Sequence, residues 1–451
     1  MSKTKTKATP TAKAPATSTP DRTPGKRPRD PATRYAEGVV AGAIVTGPYV
    51  RAACARHLRD LDERPVTGLT WSEKKVARAI GYFRDVLCLS GGQFEGHPFV
   101  LEPWECFIVG SLFGWLAPDG YRRFRMAFIE TAKGSGKSPI AAGIGLYMQT
   151  ADQEPRAEIY AAAVKRDQAI VLFRDAVAMV EQSPELSGSL HLSGGVTKHN
   201  IAFPRTGSFF RPISSEDRGI GQSGPRPHCA LLDEIHEHPT NAMVEFMRAG
   251  TKGRRQAIIF MITNSGHDRH SVCWDYHDYG VKVSSGDRRD ESFFAYICAC
   301  DDGEDPINDP WLSDDQPPLS WLKTNPSLGV TFSLKYLREQ VHHARGMPSK
   351  ESLVRRLNFC QWVEAANPWI SLDRWKPCLH ALDLADYAGR RCVLALDLSG
   401  KNDLTAMCAA FDSLDMEGGL DVFVWYWTPD DTLREREDRD RAPYVQWRDA
   451  G

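Results

Sequence analysis

Short apolar runs of strand length alternate with helical patterns between Arg122 and His267. A helical pattern, with apolar positions at three- and four-residue spacing, is plain at Lys165–Ser183 after the second run. Strands that alternate with helices predict an α/β fold, in which helices cover both faces of a parallel sheet. The five runs are Arg125–Ile129, Ala157–Ala163, Ser208–Pro212, His228–Leu232 and Gln256–Thr263.

The regions before Arg122 and after His267 have other patterns of apolar and polar residues. Helical spacing predicts helices at Tyr35–Leu61, Trp71–Leu87 and Leu334–Arg345. Asp301–Pro318 is acidic and rich in proline, which is typical of a surface connector. Three more apolar runs, joined by short connections, predict an antiparallel meander at Arg391–Asp397, Leu404–Phe411 and Leu420–Trp427.

These patterns divide the chain into four segments. A disordered basic tail, residues 1–34, precedes a sheet domain with N-terminal helices, residues 35–300. Residues 301–387 form an acidic connector and linker subdomain, and residues 388–451 contain the meander.

Composition and charge narrow the class of protein. Of the 451 residues 42% are hydrophobic, but no apolar run approaches the roughly 20 residues that cross a bilayer, so we expect no membrane contact. The 11 cysteines form no Cys-x-x-Cys pair and no secretory signal is present, which indicates a cytoplasmic protein. The formal charge is −2, yet nine basic and two acidic residues precede Tyr35. This tail either contacts DNA phosphates or a partner, or is a solvated segment without function.

A glycine-rich segment between the first strand run and the next helix has the pattern of a phosphate-binding loop. Glycines let backbone N–H groups approach phosphate oxygens, and the helix N-terminus adds its dipole. We expect Lys137 to neutralise the β- and γ-phosphates and the Ser138 hydroxyl to bind Mg²⁺. Thr131 occupies the position of the usual first glycine, so the loop is a variant. The segment consists of Thr131, Ala132, Lys133, Gly134, Ser135, Gly136, Lys137 and Ser138.

Two acidic residues end the fourth strand run and complement this loop. We expect Asp233 to hold Mg²⁺ through water and Glu234 to polarise the water that attacks the γ-phosphate. ATP is the predicted nucleotide, because no guanine-specifying Asn-Lys-x-Asp occurs. Lys133 either adds positive charge at the γ-phosphate or is solvated. Thr263-Asn264, after the fifth run, either senses the γ-phosphate or is a polar strand end.

In their order along the chain, the motifs resemble those of the large terminase subunits of tailed double-stranded-DNA bacteriophages. The resemblance runs from about Tyr35 to the last residue. Beyond the phosphate loop it includes Phe99–Glu105, Phe113–Trp115, Asp233–Glu237, Asn325–Gly329, Leu396–Ser399 and Asp403–Ala406.

The resemblance implies a P-loop ATPase sheet followed by an RNase-H-like nuclease domain. Such a protein is a motor that moves double-stranded DNA through a portal into a procapsid and cuts concatemers with Mg²⁺ or Mn²⁺. Its partners are DNA, the portal protein, the small terminase subunit and further copies of itself in a ring on the portal, in the host cytoplasm.

The resemblance also implies roles for particular residues. Lys137, Ser138 and Asp233 bind Mg·ATP, Glu234 is the hydrolytic base, and Lys133 is the basic residue of the loop. Thr263 and Asn264 fall at the coupling motif. Trp104 and Glu105 fall at the adenine-side segment, where family members often carry Gln at the position of Glu105.

The nuclease raises a separate expectation. Asp397 ends the first meander strand and Asp403 begins the second, so facing carboxylates there could hold a metal ion. Two-metal cleavage needs further acids, and the sequence stops soon after the third strand. We therefore expect an incomplete nuclease domain, and a chain that hydrolyses ATP but does not cut DNA by itself.

Two alternatives stay open. A DExH-type helicase shares Gly134–Ser138 and Asp233–His236, but it needs a second motor domain with an arginine-rich motif, which the C-terminal part lacks. A non-catalytic remnant would keep the same motifs and bind DNA or the capsid without turnover.

Overall fold

The computed structural model describes residues 30–195, 197–214, 224–311, 313, 316–363, 375–400, 404–440, 442 and 444–450. Contacts divide the chain into two compact units, Met1–Trp369 and Ile370–Gly451. Each unit has a sheet of its own.

Helices form the N-terminal part of the first unit: α1 Pro31–Val40, α2 Pro48–Thr67, α3 Glu73–Val86 and α4 Pro103–Gly114. The prediction of one continuous helix over Tyr35–Leu61 is wrong, because residues 41–47 separate two helices. Gly42 has a φ of 74° there. A Cβ on Gly47 would lie 2.0 Å from the carbonyl oxygen of Ala299, so the chain approaches its neighbour too closely for a side chain.

The predicted basic tail meets the first helix. Asp30 caps α1 by accepting a hydrogen bond from the backbone N–H of Thr33 at 3.0 Å, so residues 31–34 are helical. Residues 1–29 of that tail lie outside the described residues.

The central sheet contains eight strands in the described part of the first unit. They are β3 Met126–Glu130, β4 Glu158–Ala163, β5 His191–Gly194, β6 Lys198–Phe203, β7 Ser208–Ser214, β8 Cys229–Leu232, β9 Ile258–Thr263 and β10 Phe293–Ile297. The order is β10-β3-β9-β8-β4-β7-β6-β5. Strands from β10 to β7 are parallel, and β6 and β5 form an antiparallel edge. The α/β prediction is therefore confirmed, with a mixed and mostly parallel sheet. A separate antiparallel pair joins β1 Thr70–Trp71 to β2 Trp115–Leu116.

Helices cover both faces of this sheet: α5 Lys137–Thr150, α6 Arg166–Gln182, α7 Pro184–Ser187, α8 Ala242–Gly250 and α9 Val272–Ser285. Alternate strand residues pack to opposite sides, so Leu231 lies in the core with α5 and α6, and Leu232 lies in the core with α8 and α9. The central strands β3, β8 and β9 are buried on both faces and apolar, except that β3 and β9 end in Glu130 and Thr263 at their carboxyl ends. Those ends carry the motifs singled out in the sequence.

A small helical subdomain follows the sheet: α10 Leu319–Thr324, α11 Leu334–Gly346 and α12 Pro348–Phe359. Its own apolar core contains Trp321, Leu337, Val341 and Phe359.

The second unit contains the predicted meander, β11 Cys392–Asp397, β12 Thr405–Asp412 and β13 Leu420–Trp427, with antiparallel pairing. Tyr387 packs on Phe411 beneath it. Two helices follow, α13 Leu433–Asp440 and α14 Tyr444–Ala450. Across the described residues of both units, no helix combines the length and the apolar character that a membrane span requires.

Candidate active site

The glycine-rich loop joins the carboxyl end of β3 to the N-terminus of α5. Gly134 and Gly136 have φ values of 87° and 95°, a left-handed conformation that side chains disfavour. These conformations leave backbone N–H groups at the helix N-terminus available for an anion. The hydroxyl of Ser135 is buried and has no hydrogen-bond partner in the described structure. The loop therefore has the polar, close-approach geometry that a nucleotide phosphate requires.

Lys137 is the first residue of α5 and its side chain folds back into the loop. Its Nζ donates to the carbonyl oxygens of Thr131 at 2.9 Å and Ala132 at 3.1 Å, and to Oδ1 of Asn264 at 2.6 Å. Burial lowers the pKa of Lys137, while the carboxyl group of Glu234 opposes that shift. The ammonium group is thus held in a buried position at the same edge of the sheet as Asp233 and Glu234.

Asp233 and Glu234 follow β8, the second strand from β3 across the sheet. Burial, and then the charge of Glu234, raises the pKa of Asp233 to about 7. Although burial alone would raise the pKa of Glu234, contact with His236 and the charges of Lys137 and Lys133 hold it below its usual value. One carboxyl group of the pair is therefore favoured in its charged form.

The backbone of Glu234 is in an unusual conformation. Its φ of 49° and ψ of 56° lie in the left-handed region, which costs a non-glycine residue about 1 kcal/mol or more. The backbone N–H of Glu234 donates to Oδ1 of Asp233 at 2.9 Å. Strain of this kind concentrates at functional sites.

The Thr263-Asn264 pair ends β9, the strand between β3 and β8. Asn264 contacts Lys137, as described above. The carbonyl oxygen of Thr263 accepts a hydrogen bond from the backbone N–H of Thr131 at 3.2 Å. The Thr263 hydroxyl contacts both the backbone N–H and Nδ1 of His236 at 3.1 Å. This pair therefore touches both the phosphate loop and the acidic segment.

Trp104 and Glu105 lie in the first turn of α4 and reach the loop from behind. The Glu105 carboxyl group is 5% exposed, and its Oε1 lies 3.4 Å from the position of a Cβ on Gly136. Burial raises the pKa of Glu105 to about 8. Trp104 Nε1 donates to Oγ of Ser327 at 3.0 Å, and that hydroxyl donates to the carbonyl oxygen of Ser135 at 3.0 Å.

Residues of the helical subdomain also contact the loop, although no sequence pattern marks them as site residues. Ser327 lies within the Asn325–Gly329 motif, which was the available signal. The backbone N–H of Lys133 donates to the carbonyl oxygen of Leu357 at 2.7 Å. The Lys133 side chain is exposed, and its charge acts on Glu234.

In the second unit, Asp397 is the last residue of β11 and is exposed. It pairs with Ala406 of β12. The predicted partner Asp403 lies outside the described residues. Among the residues that the structure describes, no group of three or more His, Cys, Asp or Glu side chains is arranged to hold a metal ion.

The first unit therefore has the fold and the loop of a P-loop nucleotide hydrolase. Comparison with known protein families identifies the family of the chain. The family model for the ATPase domain of the terminase large subunit matches residues 103–282, and the model for its endonuclease domain matches residues 287–451. Together the two matches span most of the chain. The chain belongs to the large terminase subunits, with an ATPase domain and an endonuclease domain.

The chain is also similar to individual proteins. The chain is 28% identical over 373 residues to the large terminase subunit of Enterobacteria phage HK97, covering 82% of this chain and 68% of that protein. It is 28% identical over 236 residues to Protein YmfN of Escherichia coli K12, which spans 51% of this chain and 50% of that protein. The crystal structure of the HK97 large terminase aligns with a TM-score of 0.54 at 27% identity, covering 83% of this chain and 72% of the other.

These findings bear on two expectations. Membership of the terminase family removes the helicase as an alternative. The endonuclease match runs from residue 287 to residue 451, so the expectation of an incomplete nuclease domain is not supported.

Proposed function

We propose that this chain is the ATP-driven motor that moves double-stranded DNA into a procapsid. The observation that carries the proposal is the phosphate-type loop of the first unit, where the buried Lys137 ammonium group donates to Asn264 at the end of β9, next to β8, whose end bears Asp233 and Glu234. An ATPase domain in a terminase large subunit provides the context for that chemistry.

Each residue of the cleft has a role in this proposal. Backbone N–H groups from Gly134 to Ser138 and the ammonium group of Lys137 bind the β- and γ-phosphates. Ser138 and Asp233 hold the Mg²⁺ ion, which supplies charge neutralisation at the phosphates when bound. Glu234 accepts a proton from the attacking water, since contact with His236 and the charge of Lys137 keep its carboxylate ionised.

The remaining predicted residues act around that centre. Lys133 is exposed at the loop and adds positive charge toward the γ-phosphate. Thr263 and Asn264 connect the phosphate side of the cleft to the acidic side. Trp104 and Glu105 support the loop from behind, on the adenine side.

The motor requires partners that lie outside this chain. We propose that it acts on double-stranded DNA with the portal protein and the small terminase subunit, as a ring of copies on the procapsid in the host cytoplasm.

A packaging assay tests this proposal: portal-bearing procapsids, linear DNA, ATP and the purified chain are mixed, and DNA that resists DNase is measured. We expect protection with the wild type and none with Glu234→Gln, whereas the exposed Glu73→Gln serves as the matched control. Equal protection with and without ATP would contradict the motor.

We further propose that the second unit cleaves DNA with Mg²⁺ or Mn²⁺ held at Asp397, together with Asp403. The endonuclease match over residues 287–451 supports this proposal. Incubation of the purified chain with plasmid and Mn²⁺ should give linear product with the wild type and none with Asp397→Asn, while both proteins keep the same ATPase rate. A wild type that leaves the plasmid intact would contradict cleavage by this chain alone.

A further inference from the structure

His236 occupies a central position between the acidic segment and the end of β9. It lies in the 3-10 turn Ile235–Glu237 that follows Glu234, and its side chain is 7% exposed. Its contacts connect the acidic segment with the end of β9.

The imidazole ring contacts both parts through one nitrogen. Nδ1 of His236 lies 3.2 Å from Oε2 of Glu234 and 3.1 Å from the hydroxyl of Thr263. The Thr263 hydroxyl donates its own hydrogen to the carbonyl oxygen of Asn264 at 2.8 Å, so toward His236 it acts as an acceptor. A carboxylate is also an acceptor only. Both partners of Nδ1 therefore require a hydrogen on that nitrogen.

At the carboxylate end, Oε2 of Glu234 is buried and lies 3.2 Å from Nδ1 of His236, a close contact that falls short of a hydrogen bond of good geometry. The Glu234 backbone is in the left-handed region, so the direction of its side chain depends on contacts such as the one with His236. The ring itself is fixed at its base, because the backbone N–H of His236 donates to the same Thr263 hydroxyl at 3.1 Å.

We propose that His236 is a positioning residue that transmits the position of Thr263 to the Glu234 carboxylate. This inference rests on the proposed ATPase function and deepens it by naming the physical link between the coupling pair and the hydrolytic base. A shift of the β9 end moves the Thr263 hydroxyl, and the imidazole ring then moves the carboxylate relative to the attacking water. Nucleotide binding does not depend on this link, since Lys137 is held through Asn264 and two carbonyl oxygens.

Two isosteric variants separate positioning from packing. The side-chain amide of His236→Asn places its nitrogen close to the position of Nδ1, whereas His236→Gln places it close to Nε2, which faces the exposed Glu237 at 3.2 Å. We expect His236→Gln to lower kcat for ATP hydrolysis at least tenfold, with the KM for ATP changed less than threefold. We expect His236→Asn to keep kcat within threefold of the wild type. Glu237→Gln is the matched control and should leave both constants unchanged.

A substitution of Thr263 tests the same link from its other end. Thr263→Val keeps the shape of the side chain and removes the hydroxyl, so it should lower kcat as His236→Gln does. The double variant should be no slower than either single variant, because both break the same link. If the double variant multiplies the two losses, or if His236→Gln raises KM by the same factor as it lowers kcat, the link is refuted. If His236→Gln does not fold, the comparison of His236→Asn with Thr263→Val decides.

The experiments distinguish a failure of this inference from a failure of the proposed function. A wild type that hydrolyses ATP, together with an inactive Glu234→Gln and a fully active His236→Gln, overturns the positioning role alone. A wild type that does not hydrolyse ATP overturns the proposed function and the link with it.

Discussion

Glu105 offers a quantitative test of how the first turn of α4 supports the phosphate loop. Its carboxyl group is 5% exposed, and its Oε2 accepts a hydrogen bond from the backbone N–H of Glu102 at 2.9 Å. The substitution Glu105→Gln keeps the size of the side chain and the carbonyl acceptor, but it removes the ionisable group. Because the helix is buried on nearly all sides, an ionised Glu105 has little access to water.

The structure sets the size of the expected effect. Burial raises the pKa of Glu105 from 4.5 to about 8. Between these two values the unfolded chain is ionised and the folded chain keeps its proton, so the stability that a neutral Glu105 provides decreases as the pH rises. At 1.36 kcal/mol for each pKa unit, the loss is about 5 kcal/mol when the pH has passed 8. Glu105→Gln has no such loss.

The assay is urea unfolding of the wild type, Glu105→Gln and the exposed control Glu73→Gln at pH 5 and pH 8.5. At pH 5 we expect Glu105→Gln to unfold at nearly the same urea concentration as the wild type. At pH 8.5 we expect it to be the more stable protein, by a few kcal/mol, and the difference should exceed that of the control. If the difference in the free energy of unfolding between Glu105→Gln and the wild type is the same at both pH values, Glu105 is not a buried, neutral carboxyl group in the folded chain.

Three further outcomes follow from named contacts. Removing the buried ammonium group with Lys137→Ala should weaken ATP binding at least tenfold, measured by titration calorimetry with a non-hydrolysable ATP analogue. Arg123→Ala removes the buried guanidinium group that pairs with Asp60 and Glu291 and should lower the free energy of unfolding by about 3–5 kcal/mol, whereas Arg84→Ala, from an exposed pair, should leave it nearly unchanged. Ser327→Ala leaves the indole N–H of Trp104 buried without an acceptor, and should cost about 1–3 kcal/mol in the same unfolding experiment.

The sequence predicts the parts of the site that depend on local pattern. The loop around Lys137 has a glycine spacing that acts through backbone conformation, and Asp233 and Glu234 follow a fully apolar strand. Strand and helix alternation then brings both motifs to the carboxyl edge of one parallel sheet, as expected. The glycine loop and the acidic pair are each local in sequence, and the parallel order of the strands is what places them at the same edge of the sheet.

Other features depend on contacts between distant residues. Ser327 meets the loop at Ser135, 192 positions away, through one hydroxyl group, and no periodicity marks such a contact. The edge strands β5 and β6 are half-exposed and short, so their apolar pattern is weak. His236 has no motif of its own, and its role depends on the left-handed backbone of Glu234, which a sequence does not display.

The central claim is that the cleft around Lys137, Asp233 and Glu234 hydrolyses ATP. The most direct test of this claim is phosphate release from Mg·ATP by the wild type and by Glu234→Gln, purified and assayed under the same conditions. We expect continuous release by the wild type and a rate at least a hundredfold lower for Glu234→Gln, with unchanged binding of a non-hydrolysable analogue. Equal rates for the two proteins, whether both measurable or both negligible, would contradict it.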